Sequence, residues 1–324
     1  MGQDAPEPAA NEEKAATTLP AGAKPWSEKD FVHPPLKCME GYVNITEYPM
    51  MAWCFHGRGC PGYNAEYVKQ AELAGFNTLI DVQLMLKPAE KFENMMVMAP
   101  AFKFPPQRLV STFFKPYPNH PRLIGVILDD NCPRIYPVVR HSANWVKENH
   151  PHIVPYISEN PRPDLQKDTP MRILGTQNYK MWRGGGVIGY CERLNYDRWF
   201  GNNNDMSFWP IYAAPIGFTA YRFQVNAALA YGAQGMICFA YAPGDRWPEW
   251  KAPDGKLCQI ARPVHMYARK VAGKHIWGTR CLGVFHSQKD QIPRGDGKAG
   301  LEKIVQEMDA NLLAGFLVPE AVFK

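Results

Sequence analysis

The chain has 324 residues, is 46% hydrophobic and carries a formal net charge of +5. Its length suits one α/β barrel of roughly 250 residues with extensions, or two ordinary domains. The basic residues are scattered, which excludes a dense nucleic-acid groove, and no apolar run reaches the ~18 residues of a membrane-spanning helix.

Residues 1–30 are rich in Ala, Pro, Glu and Lys and lack apolar periodicity. Such a composition buries too little surface to fold, so a tail or linker is expected. No basic and apolar leader precedes it. A chain whose signal has been removed would look like this, so a secreted or periplasmic location is the expectation, and an ordinary disordered tail is the alternative. Asn44-Ile45-Thr46 is a glycosylation sequon, meaningful only in a eukaryotic secretory pathway.

From Tyr48 onward, short apolar runs alternate with amphipathic stretches. Pro49–Phe55 is the first predicted strand and leads into His56-Gly57-Arg58-Gly59. Residues 63–74 have helical spacing and stop at Gly75, a good C-terminal cap. Phe76–Ile80 is the second strand, ending in Asp81, and Met95–Ala99 the third. A helix at about 105–117 leads to the fourth, Leu123–Leu128, which runs into Asp129-Asp130-Asn131-Cys132-Pro133. Pro133 is expected to open the next helix, to 149.

Ile153–Ile157 is the fifth strand, ending in Ser158-Glu159-Asn160. Ile173–Gln177 is the sixth, ending in Asn178-Tyr179, before a helix near 186–200. Met206–Trp209 is the seventh, ending in Pro210-Ile211-Tyr212, and a helix from 219 to 231 stops at Gly232. Gly235–Phe239 is the eighth, ending in Ala240-Tyr241, and a last helix covers about 257–273.

Eight strands separated by helical stretches predict an α/β fold, a (β/α)8 TIM barrel. The expected organisation is a tail over 1–30, a catalytic barrel over 31–278 and the start of a small β-rich extension over 279–324. Cys281–Phe285 and Asn311–Leu317 supply the strands of that extension.

The eight cysteines have neither CxxC nor zinc spacing, and no His pair at ligand spacing stands beside carboxylates. No metal and no other cofactor is expected. Cys54 and Cys60 flank a Gly-rich turn and form a disulfide candidate beside the simpler reading as thiols. Nine Trp, 15 Tyr and 16 Phe include several at predicted strand ends, where rings can stack on the C–H faces of a sugar or pack in the core.

Several segments bear a family likeness. Ala74–Asp81 resembles the second strand of barrel glycoside hydrolases of the β-galactosidase-like clan. His120–Asp130 resembles the segment that carries their strand-four general acid/base Glu, and Ala228–Phe239 resembles their helix-to-strand-eight segment. Gly283–Ser287 resembles the stretch just after the barrel in that clan, so the likeness runs in order over about 60–290. It implies a TIM barrel, a carbohydrate substrate and hydrolysis of glycosyl bonds. Two departures stand out. The acid/base position falls on Asp130 or Asn131 rather than Glu, and the seventh strand ends without the Glu the clan uses as nucleophile.

Glycoside hydrolysis usually needs two carboxyl groups. Asp130 is the candidate general acid/base, with Asp129 and Glu159 as candidate partners. An Asp129-Asp130 pair resembles that of substrate-assisted hexosaminidases, in which the substrate's own acetamido group is the nucleophile. A helix cap is the plain reading of Asp129, and a surface loop acid that of Glu159. His56, Asp81, Asn131, Asn178, Tyr179, Trp209, Tyr212, Tyr241 and Trp247 are candidate substrate-binding residues. Their plain readings are an Arg58 partner for Asp81, a structural histidine for His56, and packing for the rings. A catalytically silent carbohydrate-binding barrel is the competing function, and a homo-oligomer is left open.

Overall fold

The structure is a computed structural model. It describes residues 31–54, 62, 64–80, 86–92, 95–130, 135–161, 169–181, 183, 185–214, 218–244, 248–251, 253–286 and 313–323. The strands are β1 (Met50–Cys54), β2 (Thr78–Ile80), β3 (Met96–Pro100), β4 (Leu123–Asp130), β5 (Val154–Ser158), β6 (Ile173–Leu174), β7 (Gln177–Asn178), β8 (Ser207–Phe208), β9 (Ile211–Ala213), β10 (Met236–Tyr241), β11 (Thr279–His286) and β12 (Leu313–Pro319). The helices are α1 (Ala65–Leu73), α2 (Leu86–Ala89), α3 (Pro106–Leu109), α4 (Pro137–Asn149), α5 (Gly186–Asn203), α6 (Phe218–Ala230), α7 (Lys256–Tyr267) and α8 (Gly273–Ile276).

Eight strands form one sheet in the order β5-β4-β3-β2-β1-β10-β9-β7. Every neighbouring pair in it is parallel. β1, β2 and β5 are buried along their whole length, as parallel strands must be when helices cover one face and side chains fill the other. The sheet curls. Its edges approach through a parallel bridge between Ser158 and Gly175 and through the Glu159 N–H, which donates to the Gly175 carbonyl at 2.9 Å. This is a curled α/β sheet of the TIM type.

The predicted sixth and seventh strands are each in two pieces. β6 pairs with β8 in a small separate sheet, and β7 and β9 continue in the main one. Pro210 sits in the second break, where a residue without an N–H cannot hold a ladder. The seventh strand therefore runs past Trp209, and Tyr212 is a strand residue rather than a loop residue. The helix after β4 also differs from expectation. It opens at Pro137 after an extended Tyr136, not at Pro133, so Pro137 is the proline at the first helical position.

The segment before β1 seals the N-terminal end of the sheet. Phe31 stacks on Trp277 with ring centroids 4.7 Å apart, and the Tyr48 hydroxyl donates to the Ala233 carbonyl at 2.7 Å. The Asn44 side-chain amide donates to the Leu123 carbonyl at 2.8 Å, and Asn44 is buried. The sequon asparagine is thus a structural residue at the foot of β4.

Helix α1 is capped by Asn64, whose Oδ1 accepts the Glu66 and Tyr67 N–H groups. It stops at Gly75, where φ is +87° and an added Cβ would stand 2.9 Å from the His265 Cβ. Only glycine combines that turn with so close an approach of α7.

β11 and β12 pair antiparallel from Thr279↔Pro319 to His286↔Leu313. Two buried arginines tie this hairpin to the helices. Arg198 donates to the Cys281 and Leu282 carbonyls at 3.0 and 2.9 Å. Arg280 donates to the Met206 carbonyl at 2.8 Å and pairs with Glu320 and Asp205 at 2.7 and 2.9 Å.

Between sheet and helices lies a buried polar knot. His265 meets the Tyr221 and Tyr212 hydroxyls through Nε2 at 2.6 and 3.1 Å, and its Nδ1–H donates to the Ala74 carbonyl at 2.9 Å. Burial pushes its pKa down to about 3. Between about pH 6.5 and pH 3 the unfolded chain therefore takes up a proton that folded His265 refuses. Stability should fall as pH drops through that window, by at most about 1.4 kcal/mol per pH unit for one proton. Thermal melts of wild type and His265→Gln at pH 7 and pH 4 would check this. The variant should melt lower at pH 7 but lose less on acidification.

Candidate active site

Strict alternation along β4 would put Gly125, Ile127 and Asp129 on one face. The pairing with β5 shows otherwise. Ile127 pairs with Tyr156, Asp129 with Ile157 and Asp130 with Ser158, so β4 has one extra residue at Leu128. This bulge reverses the sidedness of the last two residues of the strand. Asp130 joins the inner face with Ile127, and Asp129 leaves it.

The contacts agree with this register. The Gln177 amide nitrogen donates to Asp130 Oδ1 at 3.1 Å and to Ser158 Oγ at 3.3 Å. Ser158 bridges Gly175, two residues before Gln177. Asp130, Ser158, Gly175 and Gln177 therefore sit side by side at the C-terminal end of the sheet, where barrels carry their chemistry. Tyr156 lies two residues below Ser158 on the same face. Its ring fills the gap left by Gly175, where an added Cβ would come within 1.8 Å of the hydroxyl oxygen. Three rings extend the rim. Phe239 meets Trp53 edge-on at 5.9 Å and Tyr179 at 5.6 Å between centroids.

The Tyr156 hydroxyl is fully buried and has no hydrogen-bond partner among the described residues. Burial first, then the Asp130 carboxylate and Tyr179, hold its pKa well above the usual tyrosine value. Burial and Asp130 also raise Tyr179, against Arg183, whose guanidinium lies 5.5 Å from the ring centroid. Both phenols stay protonated, and of the two only Tyr179 is partly exposed and can donate a hydrogen bond to a ligand oxygen.

Other expected site residues lie elsewhere. Asp129 is turned to Lys103 at 3.8 Å, and its Oδ1 accepts the Asp130 N–H at 2.9 Å. Lys103 in turn lies over the Tyr136 ring. Alternation sends the two aspartates to opposite faces, and the bulge makes Asp130 the one inside. Glu159 is buried and its Oε1 turns back to accept the Asn160 N–H at 2.6 Å.

Asn178, Trp209, Tyr212 and Tyr241 are sealed in the core, each at 0% exposure. The Asn178 amide donates to the Tyr190 carbonyl on α5, and Tyr212 joins the His265 knot. Tyr241 packs edge-on to Tyr67, Phe76 and Trp250. The Trp209 indole N–H bonds Ser207 Oγ at 3.0 Å, and its ring lies against Gly235. All four pack in the core, which for the three rings is their plain reading. Asn178 and Tyr212, partners in register, both point to the helix side. His56, Asp81, Asn131, Trp247 and Cys60 lie outside the described residues.

Sequence reading missed Tyr156, Ser158, Gln177, Trp53 and Phe239. Gln177 and Tyr179 flank Asn178, so the sidedness of Asn178 alone would have pointed to them. Trp53 and Phe239 lie inside strands, where rings read as core. The seventh strand ends at Ala213, followed by Ala214, and brings no carboxylate to the site. Among the described residues no cluster of His, Cys, Asp and Glu could hold a metal ion, and no helix is long and apolar enough to cross a membrane.

No family model matches the chain, and no curated protein matches it in sequence. Solved structures similar to this chain include a mannanase and the catalytic domain of a chitinase. The endo-β-1,4-mannanase of Thermotoga petrophila is 8% identical, with a TM-score of 0.51 over 69% of this chain and 77% of that one. The catalytic domain of a hyperthermophilic chitinase of Pyrococcus furiosus is 8% identical, with a TM-score of 0.48 over 67% of this chain and 95% of that one. At this identity the likeness shows the fold alone.

The Tyr156–Gly175 fit is open to test. Gly175→Ala should destabilise by about 1–3 kcal/mol through overpacking. Tyr156→Phe removes a buried hydroxyl without a partner and should leave stability unchanged or raised. Urea denaturation of both variants checks this, and a loss above about 1 kcal/mol in Tyr156→Phe would mean that its hydroxyl is engaged.

Proposed function

We propose that this protein is a glycoside hydrolase acting on a glycan or oligosaccharide, with Asp130 as its strand-four general acid/base. The observation that carries the reading is the position of Asp130. It ends β4 on the inner face, bonded to Gln177, beside two protonated phenols and below a rim of three rings. Flat rings complement the C–H faces of a pyranose, and hydroxyl and amide groups complement its oxygens. The fold of the mannanase agrees with this reading as fold-level analogy.

A two-carboxylate mechanism needs a partner for Asp130. Glu159, one residue beyond Ser158 on the neighbouring strand, is the candidate, and it would have to release Asn160 to serve. A substrate-assisted mechanism through Asp129 and Asp130 is less well served, because adjacent residues of β4 face opposite sides of the sheet. A closed (β/α)8 barrel and a secreted or periplasmic place of action complete the reading.

The second reading is a barrel that binds carbohydrate without turning it over. The strand-seven end, Ala213-Ala214, favours it, since no carboxylate stands there. Aryl glycosides and natural polysaccharides should be screened with wild type and Asp130→Asn. Hydrolysis by wild type, lowered about 10²- to 10⁴-fold in kcat by the substitution, is the expected result. Binding of an oligosaccharide with no turnover would establish the silent barrel instead.

A further inference from the structure

We infer that Gln177 is a positioning residue: its amide holds the Asp130 carboxyl aimed into the mouth and biases it toward the ionised form. What the carboxylate does to a substrate rests on the proposed function; its state and orientation do not.

The first support is the donor pattern. The Gln177 amide nitrogen lies 3.1 Å from Asp130 Oδ1 and donates to it. Its second hydrogen is directed to Ser158 Oγ at 3.3 Å. With both hydrogens committed, the amide is held in one orientation. A neutral donor facing a carboxylate favours the charged form over the protonated one.

The second support is how Gln177 itself is held. Its two neighbours are pinned to α5 from the opposite face. Thr176 donates its hydroxyl to the buried Asp197 at 2.5 Å, and Asn178 donates to the Tyr190 carbonyl at 3.0 Å. The Thr176 carbonyl accepts the Ile211 N–H at 2.6 Å, and Gln177 pairs with Ile211. A residue anchored on both sides presents its side chain with little freedom, which is what a supporting shell requires.

Other titratable groups also face Asp130. Tyr156 comes from β5 and Tyr179 from beyond β7, with Arg183 against the Tyr179 ring. Asp129 is next in the chain and is turned to Lys103. The two tyrosines are neutral through the working range, and Lys103 faces away from the mouth with Asp129. Gln177 therefore supplies a short-range bias toward the anion on the inner face.

The test is the titration of Asp130 followed by carbon-13 NMR on protein with labelled aspartate, using Asp130→Asn to assign the signal. No substrate is needed, so the result stands whether or not the protein hydrolyses glycosides. In Gln177→Met, which keeps the length and removes both hydrogens, the Asp130 midpoint should rise by about one pH unit, a tenfold change in proton affinity. In Gln177→Glu it should rise further, because a second carboxylate faces the first. An unchanged midpoint in folded Gln177→Met overturns the inference. Should that variant fail to fold, an unchanged midpoint in Gln177→Glu does the same. If a substrate is found, the limb of the kcat/KM profile that Asp130 governs should move with the NMR midpoint, a shift that a merely structural glutamine would not produce.

Discussion

One inserted residue decides which of two aspartates faces the inside of the sheet. Without the bulge at Leu128, alternation along β4 would place Asp129 inside and Asp130 outside. With it, the inner face receives the aspartate that Gln177 can reach, and the other is left to Lys103. The glutamine, the serine and the tyrosine are useful only because β4 is out of step with its neighbour by one position. Bulges recur beside active sites because they re-aim a side chain without altering the strand order.

The two faces of the sheet then do different work. The inner face is largely apolar, with Met51 paired to Ile237, Ile80 to Met98 and Ile127 to Pro100; Thr78 beside Met51 is a buried polar exception, and further polar groups gather at the C-terminal end. The outer face carries its own polar groups, and several of them hold the helices on. His265, Tyr212 and Tyr221 bond one another, and Asn178 and Thr176 bond α5. Polar residues at strand ends thus divide by face into those that meet the helices and those gathered round Asp130.

Much of this was legible in the sequence. Apolar runs spaced by amphipathic stretches marked the eight strand positions and their order, because burial on both faces needs continuous apolar residues. Gly75 and Pro210 showed where chain geometry is forced. Asp130 was legible as the end of a buried strand. What could not be read was sidedness. Tyr212 and Tyr241 at strand ends look the same in sequence as Tyr179, and only cross-strand register sends one to the mouth and the others to the helices. Nor was Gln177 visible as a partner of Asp130, since the two are 47 positions apart and meet only when β5 and β7 converge.

The arginines under the β11–β12 hairpin bear on how the molecule can be cut or divided. Arg198 belongs to α5, yet the carbonyls it satisfies belong to β11. Removing the hairpin would take away both backbone acceptors of Arg198 Nη1 and leave the guanidinium only Asn195 Oδ1 among the described residues. The hairpin is therefore a working wall of the sheet-and-helix body rather than a detachable module. A truncation ending at Gly278 would be expected to lose the cooperativity of the whole, not merely its last two strands.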